Sequence, residues 1–257
     1  GMLKCAEHGY RMIFELVDTH NDHVERELGA AIAALQPDGV ILTPPHSENP
    51  LITGFLAKRK IPFARIGSIA SGPGIAMTMD DEGSARRATE HLIALGHSRI
   101  GFIAGPKEYD LSNWRIDGWR EAMATAGFSC DALCVRGDFG YDSGVLAANA
   151  LLDLENPPTA IIGSNDQMTL AALDAAKTRG LHIPGDLSLI SFDNTPVVRF
   201  TVPELTAVDQ PIAATFSKAV ELLITNGDAP VPHQPVVIEG SLIERSSTAP
   251  PSAHGRA

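Results

Sequence analysis

The sequence predicts an α/β protein of two doubly wound, parallel-sheet lobes, and three observations predict it. Short apolar runs alternate with amphipathic segments along the chain, the rhythm of strands joined by crossover helices. The apolar content is aliphatic. Hydrophobic residues make up 44% and aromatics only 5%, so Ala, Val, Ile and Leu must fill the interior, which suits helices packed on parallel strands. The rhythm runs to about nine or ten units, a large number for one sheet.

In order, Tyr10–Leu16 reads as a strand and Glu25–Leu35 as a helix with Leu28, Ala31, Ile32 and Leu35 on its apolar face. Gly39–Leu42 is a short buried strand ended by Pro44 and Pro45. Leu51–Lys58 is helical, and Phe63–Ile66 is a strand set up by Pro62. Asp81–Leu95 is a helix stopped at Gly96, where a left-handed residue closes the last turn. The rhythm then restarts with strand Arg99–Ile103, helix Ser112–Ala126 before Gly127, and a weaker strand at Leu133–Arg136. Helix Tyr141–Leu152, strand Ala160–Gly163 and helix Asp166–Arg179 before Gly180 follow, then strand Leu187–Phe192. Ile212–Ile224 is a helix closed near Gly227, and Val236–Glu244 supplies one or two last strands. A Ser-, Pro- and Ala-rich tail over 247–257 is expected to be disordered.

Composition narrows the function. The chain carries 20 Lys and Arg against 31 Asp and Glu, a formal charge of −11, and its densest basic group is Lys58-Arg59-Lys60. Read alone, this segment should be repelled by the phosphates of DNA. Cys5, Cys130 and Cys134 are odd in number and not spaced as CxxC, and no secretory leader precedes them; a reduced, cytoplasmic setting is expected. No zinc set forms around Cys130 and Cys134, and no apolar run is long enough to cross a membrane. Neither GxGxxG, a P-loop, HExxH nor GxSxG occurs, so no catalytic residue, cofactor or metal is expected. In a doubly wound fold ligands gather outside the carboxyl ends of the strands, which for two lobes means the cleft between them.

One ordered series of motifs covers almost the whole chain. It begins with Gly83, Ala88, His91-Leu92-Ile93, Leu95-Gly96-His97, Arg99-Ile100-Gly101-Phe102-Ile103 and Gly105. It continues with Arg115-x-x-Gly118-Trp119, Gly137-Asp138-Phe139, Pro158-Thr159-Ala160-Ile161 and Asn165-Asp166-Gln167-Met168. Ile183 to Asn194, Pro203-Glu204-Leu205-Thr206 and Leu242 to Ser247 complete it. The series resembles the effector-binding domain of the LacI/GalR family of transcription regulators. The resemblance implies a periplasmic-binding-protein-like fold of type I with a three-crossover hinge. The first lobe would take 1–79 plus 211–238 and the second 80–210 plus 239–246. It also implies a homodimer that binds a small, sugar-like effector and reaches DNA only through a helix-turn-helix domain. Gly1–Tyr10 matches the later part of the family's first helix, so the first core strand is expected to be missing.

A sugar site needs planar groups that engage two hydroxyls at once and an apolar face for the ring. By resemblance Arg115, just past a strand end, is the effector-binding arginine; the alternative is a surface arginine on a solvated helix. Asp193 corresponds to the family's effector-binding aspartate, although Asp193-Asn194-Thr195-Pro196 is also good turn chemistry. Asn165 either binds ligand or caps the helix after it. Phe139 corresponds to an aromatic packed on the effector ring, with ordinary core as the alternative, and Trp114 is a candidate second wall. From the first lobe, Arg65 is a charge in the apolar run Ile61–Ile66, lining the cleft or exposed where the strand emerges. Asp80, near the crossover, reads as structural. The rival readings are a periplasmic-type sugar-binding protein of a transport system and, behind it, an enzyme on a Rossmann-like sheet.

Overall fold

A computed structural model describes residues 1–17, 23–226 and 234–252. The chain divides into two compact units, Gly1–Met79 with Pro211–Glu239 and Asp80–Gln210 with Gly240–Ala257.

In the first unit, helices α1 (Met2–Glu7), α2 (Val24–Leu35) and α3 (Pro50–Lys58) accompany strands β1 (Val40–Leu42), β2 (Phe63–Ile66) and β3 (Ile75–Met79). With β9 (Val236–Ile238) these strands form a parallel sheet of order β1-β2-β3-β9. Apolar residues cover both faces, as a parallel sheet requires. Val24, Leu28, Ile52, Phe55, Leu56 and Phe63 form one cluster, and Ala64, Ile75, Met77 and Ala219 another. Ala219 comes from α8 (Ile212–Asn226), whose expected close at Gly227 lies outside the described residues.

The expected strand Tyr10–Leu16 pairs with neither sheet, and Ile13, Phe14 and Leu16 are exposed. Extended backbone becomes a strand only where a neighbour takes its N–H and C=O groups. Strand β3 went unread because Gly67, Gly72, Pro73 and Gly74 just before it look like loop, and its own Ala and Met are poor strand signals.

The second unit holds strands β4 (Ile100–Ala104), β5 (Cys134–Arg136), β6 (Ala160–Gly163), β7 (Ser188–Asp193), β8 (Thr206–Asp209) and β10 (Ser241–Ile243). Their order is β10-β8-β7-β6-β4-β5, parallel except for β10, which closes one edge antiparallel to β8. The chain runs from β4 outward to β5 and then returns to β6 on the other side of β4. The β4–β6 junction is therefore a topological switch point, where the loops part and leave room for a ligand.

Helices α4 (Asp81–Ala94) and α5 (Asp110–Thr125) pack together, as do α6 (Tyr141–Leu152) and α7 (Asp166–Thr178). Each pair closes on a glycine. A Cβ on Gly118 would stand 2.0 Å from the Glu82 carbonyl oxygen, and one on Gly144 would stand 2.7 Å from Cα of Met168. Trp119 lies fully buried on α5, stacked obliquely on Phe102 and donating through its indole N–H to the Ile100 carbonyl at 3.2 Å.

The tail expected from residue 247 does not begin there. Ser247 is buried; its hydroxyl donates to the Leu189 carbonyl at 2.6 Å and accepts from the Thr206 N–H at 2.8 Å, and its own carbonyl accepts from the Leu189 N–H. Ala249 follows, its N–H on the Ser188 hydroxyl and its carbonyl on the His97 ring at 2.9 Å. Small polar residues suggest a tail only while their hydroxyls and peptides lack partners, and here β7 and β8 supply them. Residues 253–257 lie outside the described residues.

Candidate functional site

Four loops of the second unit leave the carboxyl ends of β4, β5, β6 and β7, and each delivers one of the candidate residues. Helix α5, which follows β4, begins at Asp110 rather than Ser112. Arg115 therefore sits in its second turn, fully buried. Its Nε donates to Asp81 Oδ1 at 2.7 Å and its Nη1 to the Ser164 carbonyl at 2.6 Å. Nη2 lies 2.7 Å from the same Asp81 oxygen yet makes no hydrogen bond of its own. The guanidinium carbon stands 4.4 Å from the Phe192 ring centroid, over its electron-rich face. Arg115 is thus neither solvated nor free.

Asp193 ends β7 with φ of 88°, followed by Asn194 at 58°. Both residues lie in the left-handed region, which Asp and Asn tolerate better than other side chains. Burial pushes the Asp193 carboxyl up to about 6, with Asp166 and Asp81 adding to the rise, while Arg115 and the Asp166 N–H pull it down. Asp166, the first residue of α7, is itself satisfied. It accepts from the Ser191 hydroxyl at 2.6 Å and from the Thr195 N–H and hydroxyl at 2.7 and 2.6 Å.

Asn165 performs the capping role. Its Oδ1 accepts from the Met168 N–H at 2.9 Å, and its Nδ2 donates to the Phe139 carbonyl at 2.8 Å, which ties the loop after β6 to the loop after β5. That second loop is tied by Asp138, which accepts from the Gly140 N–H at 2.7 Å and the Ser143 hydroxyl; these bonds hold its carboxyl below the usual range. The loop sets Phe139 at φ of 69° and brings its ring edge-on to Tyr109, centroids 5.6 Å apart. A Cβ on Gly105 would strike the Phe139 ring at 2.3 Å and the Ser112 hydroxyl at 2.6 Å, so these three close on one another.

Arg115, Asp193, Asn165 and Phe139 therefore share the strand-end face of one unit. Trp114 is half-buried on α5 beside Arg115, and adjacent helix positions do not face the same way. Arg65 belongs to the other unit. There it is buried at the end of β2, donating to the Ala70 carbonyl at 2.6 Å, with Glu48 at 3.5 Å from its Nη1. Asp80 caps α4 through the Gly83 N–H and pairs with Arg87 at 3.1 Å.

Sequence reasoning missed Asp81, Ser112, Ser164, Asp166 and Phe192. Asp81 reads as an ordinary acid in a first helical turn, and Asp166 as part of a capping signal. A lone serine carries no pattern at all. Yet the hydroxyls of Ser112 and Ser164 are fully buried and, among the described residues, have no hydrogen-bond partner. Such atoms cost about 1–3 kcal/mol each unless something binds them. No group of His, Cys, Asp and Glu among the described residues has a metal-holding arrangement.

Residues 89–248 match the family model described as a periplasmic binding protein-like domain. The HTH-type transcriptional regulator CelR of Thermobifida fusca is 32% identical over 249 residues, 94% of this chain and 72% of the relative. The HTH-type transcriptional repressor CytR of Escherichia coli K12 is 34% identical over 224 residues, 86% of this chain and 64% of the relative. A solved CelR–cellobiose complex superposes with a TM-score of 0.83 at 30% identity, covering 96% of this chain and 76% of that one. A LacI-family regulatory protein from Chloroflexus aggregans does so with 0.86 at 32% identity, covering 96% and 89%.

Proposed function

This chain belongs to the LacI family of transcriptional regulators, and from that premise we propose that it is the effector-binding and dimerisation core of such a regulator. Its relatives regulate transcription, and the chain is a regulator rather than an enzyme. The effector is a small sugar-like molecule, met at the strand-end face of the second unit by Asp193, by the free hydroxyls of Ser112 and Ser164, and by the Phe139 ring. Arg115 acts chiefly by holding that face in shape through Asp81 and the Ser164 carbonyl; Asn165 positions Phe139. Trp114 is a secondary contact in this reading.

The observation that carries the proposal is Asp193. It ends β7 at the carboxyl edge of the sheet with φ of 88°, within electrostatic reach of Arg115, and burial pushes its carboxyl up to about 6. The solved complex of CelR with cellobiose supports a sugar as the class. The HTH-type designation of the relatives supports DNA contact through a helix-turn-helix domain rather than through the acidic residues here. A homodimer working in the cytoplasm completes the reading. Ligand would then shift DNA affinity only by binding one arrangement of the dimer better than another.

The test is thermal unfolding against neutral mono- and disaccharides, sugar phosphates and purines, repeated with Asp193→Asn. A ligand at a hundredfold excess over its Kd stabilises by about 2.7 kcal/mol, a shift of a few degrees. A sugar shift lost in the variant is the expected result. A shift that survives puts the site elsewhere, and silence from every sugar ends the sugar reading.

A further inference from the structure

The charges around Arg115 bear on what the site rejects. Where a protein binds a phosphate or carboxylate, a guanidinium presents its donors to the ligand. In this unit the donors turn inward. Nε and Nη2 both lie 2.7 Å from Asp81 Oδ1, Nη1 is spent on the Ser164 carbonyl, and Phe192 covers one face. Its positive charge is therefore balanced before any ligand arrives. A further carboxylate, Asp193, stands within electrostatic reach, so one guanidinium is set against two acids. The neighbouring Asp80 is matched separately by Arg87.

Other anion-attracting features are also in use. The amino end of α7 would draw an anion to its N–H groups, but Asn165 caps Met168 and the Asp193 carboxylate sits against the Asp166 N–H. Arg136, exposed at the end of β5, spends its guanidinium on the Gly105 carbonyl at 2.8 Å and Asn113 Oδ1 at 2.7 Å. Asp193 remains as an acceptor, and the buried hydroxyls of Ser112 and Ser164 have no hydrogen-bond partner among the described residues. A carboxylate accepts and a serine hydroxyl both donates and accepts, so the set suits a neutral ligand that carries hydroxyls.

We infer that this site excludes anions: its effector is an uncharged, hydroxyl-rich molecule, and phosphorylated or carboxylated counterparts are rejected because Asp81 already neutralises Arg115. The inference rests on the strand-end face being the effector site.

Calorimetric titration at constant ionic strength tests it, with glucose, cellobiose, glucose 6-phosphate and inorganic phosphate as probes. Wild type should show no phosphate binding, and glucose 6-phosphate should bind at least about tenfold more weakly than glucose. Removing one acid should open the site to anions. Asp81→Asn should gain measurable phosphate binding, and Asp193→Asn, which leaves the buried Asp81–Arg115 pair intact, should gain it to a smaller degree. Phosphate binding to wild type, or glucose 6-phosphate binding as tightly as glucose, overturns the inference. So does the absence of any gain in whichever variants fold. If no neutral sugar binds but the variants gain phosphate, anion exclusion stands and the sugar reading alone falls.

Discussion

At pH 7 most of the Asp193 carboxyl is ionised although burial has lifted its pKa from 3.8 to about 6, so the folded chain carries a charge it would hold more comfortably when unfolded. The sign follows from proton counting. Between these two values the folded state binds more protons, so the contribution to stability is complete below about pH 4 and is lost as pH rises through 6. Asp193→Asn keeps the shape, removes the charge and tolerates positive φ. Its melting temperature should exceed wild type by a few degrees at pH 8 and converge with it near pH 4, as unfolding scans would record. Arg115→Ala should do the opposite. It strands Asp81 in the interior, where burial already raises that carboxyl against the pull of Arg115, and breaking a buried pair costs about 3–5 kcal/mol. Denaturant titration would measure the loss. The role of Asn165 was legible as a cap because capping is local. The partner of Arg115 was not, since Asp81 is 34 residues away and nothing in the spacing links them.

Two elements depend on contacts that a sequence pattern does not express. The α4–α5 pair is close enough that Gly118→Ala would push a methyl group into the Glu82 backbone. Backbone cannot yield as a flexible side chain can, so a loss of at least about 1–3 kcal/mol in chemical denaturation is expected. The carboxyl-terminal segment is the second case. Ser247→Ala should cost about 1–3 kcal/mol by leaving the Leu189 carbonyl and Thr206 N–H short of a partner inside the unit. The same segment is held by His97, whose ring takes Thr159 at 2.8 Å and the Ala249 carbonyl at 2.9 Å; burial lowers its pKa, and the bond to Ala249 only partly offsets this. A lowered histidine stabilises fully above its unfolded value of 6.5 and loses that contribution as pH falls below it. Limited proteolysis should release the carboxyl-terminal segment faster at pH 5 than at pH 7.5. Most strands and helices were readable because each carries its own period and its own stop residues, as Asp81–Ala94 does with Gly96 behind it. Tyr10–Leu16 has the composition of a strand and no ladder, because pairing is a property of the neighbour.

For the whole molecule, the expected assembly is a homodimer, and light scattering should return twice the 27.3 kDa of the chain. A monomer at every accessible concentration would remove dimerisation from the proposal. The two units differ in how well they are closed. The second has a six-stranded sheet with an antiparallel edge strand and a carboxyl-terminal segment bonded along β7. The first has four strands among the described residues, with Val40–Leu42 at its edge and exposed Ile13, Phe14 and Leu16 in an unpaired run. Native-state hydrogen exchange should therefore be slower in β4, β6 and β7 than in β1.

The sequence by itself determined the fold class, the order of nearly all elements and the family resemblance, because alternation, punctuation and motif order are all written in near neighbours. It also placed Arg115, Asp193, Asn165 and Phe139 just beyond strand ends, where doubly wound proteins bind ligands. Only the tertiary structure decided that Arg115 is already paired, that the Ser112 and Ser164 hydroxyls are buried without partners among the described residues, and that residues 247–249 are bound rather than loose. Each of those facts is a distance between groups far apart in the chain. Burial and charge neutralisation depend on what the fold brings alongside a residue, which no local pattern encodes.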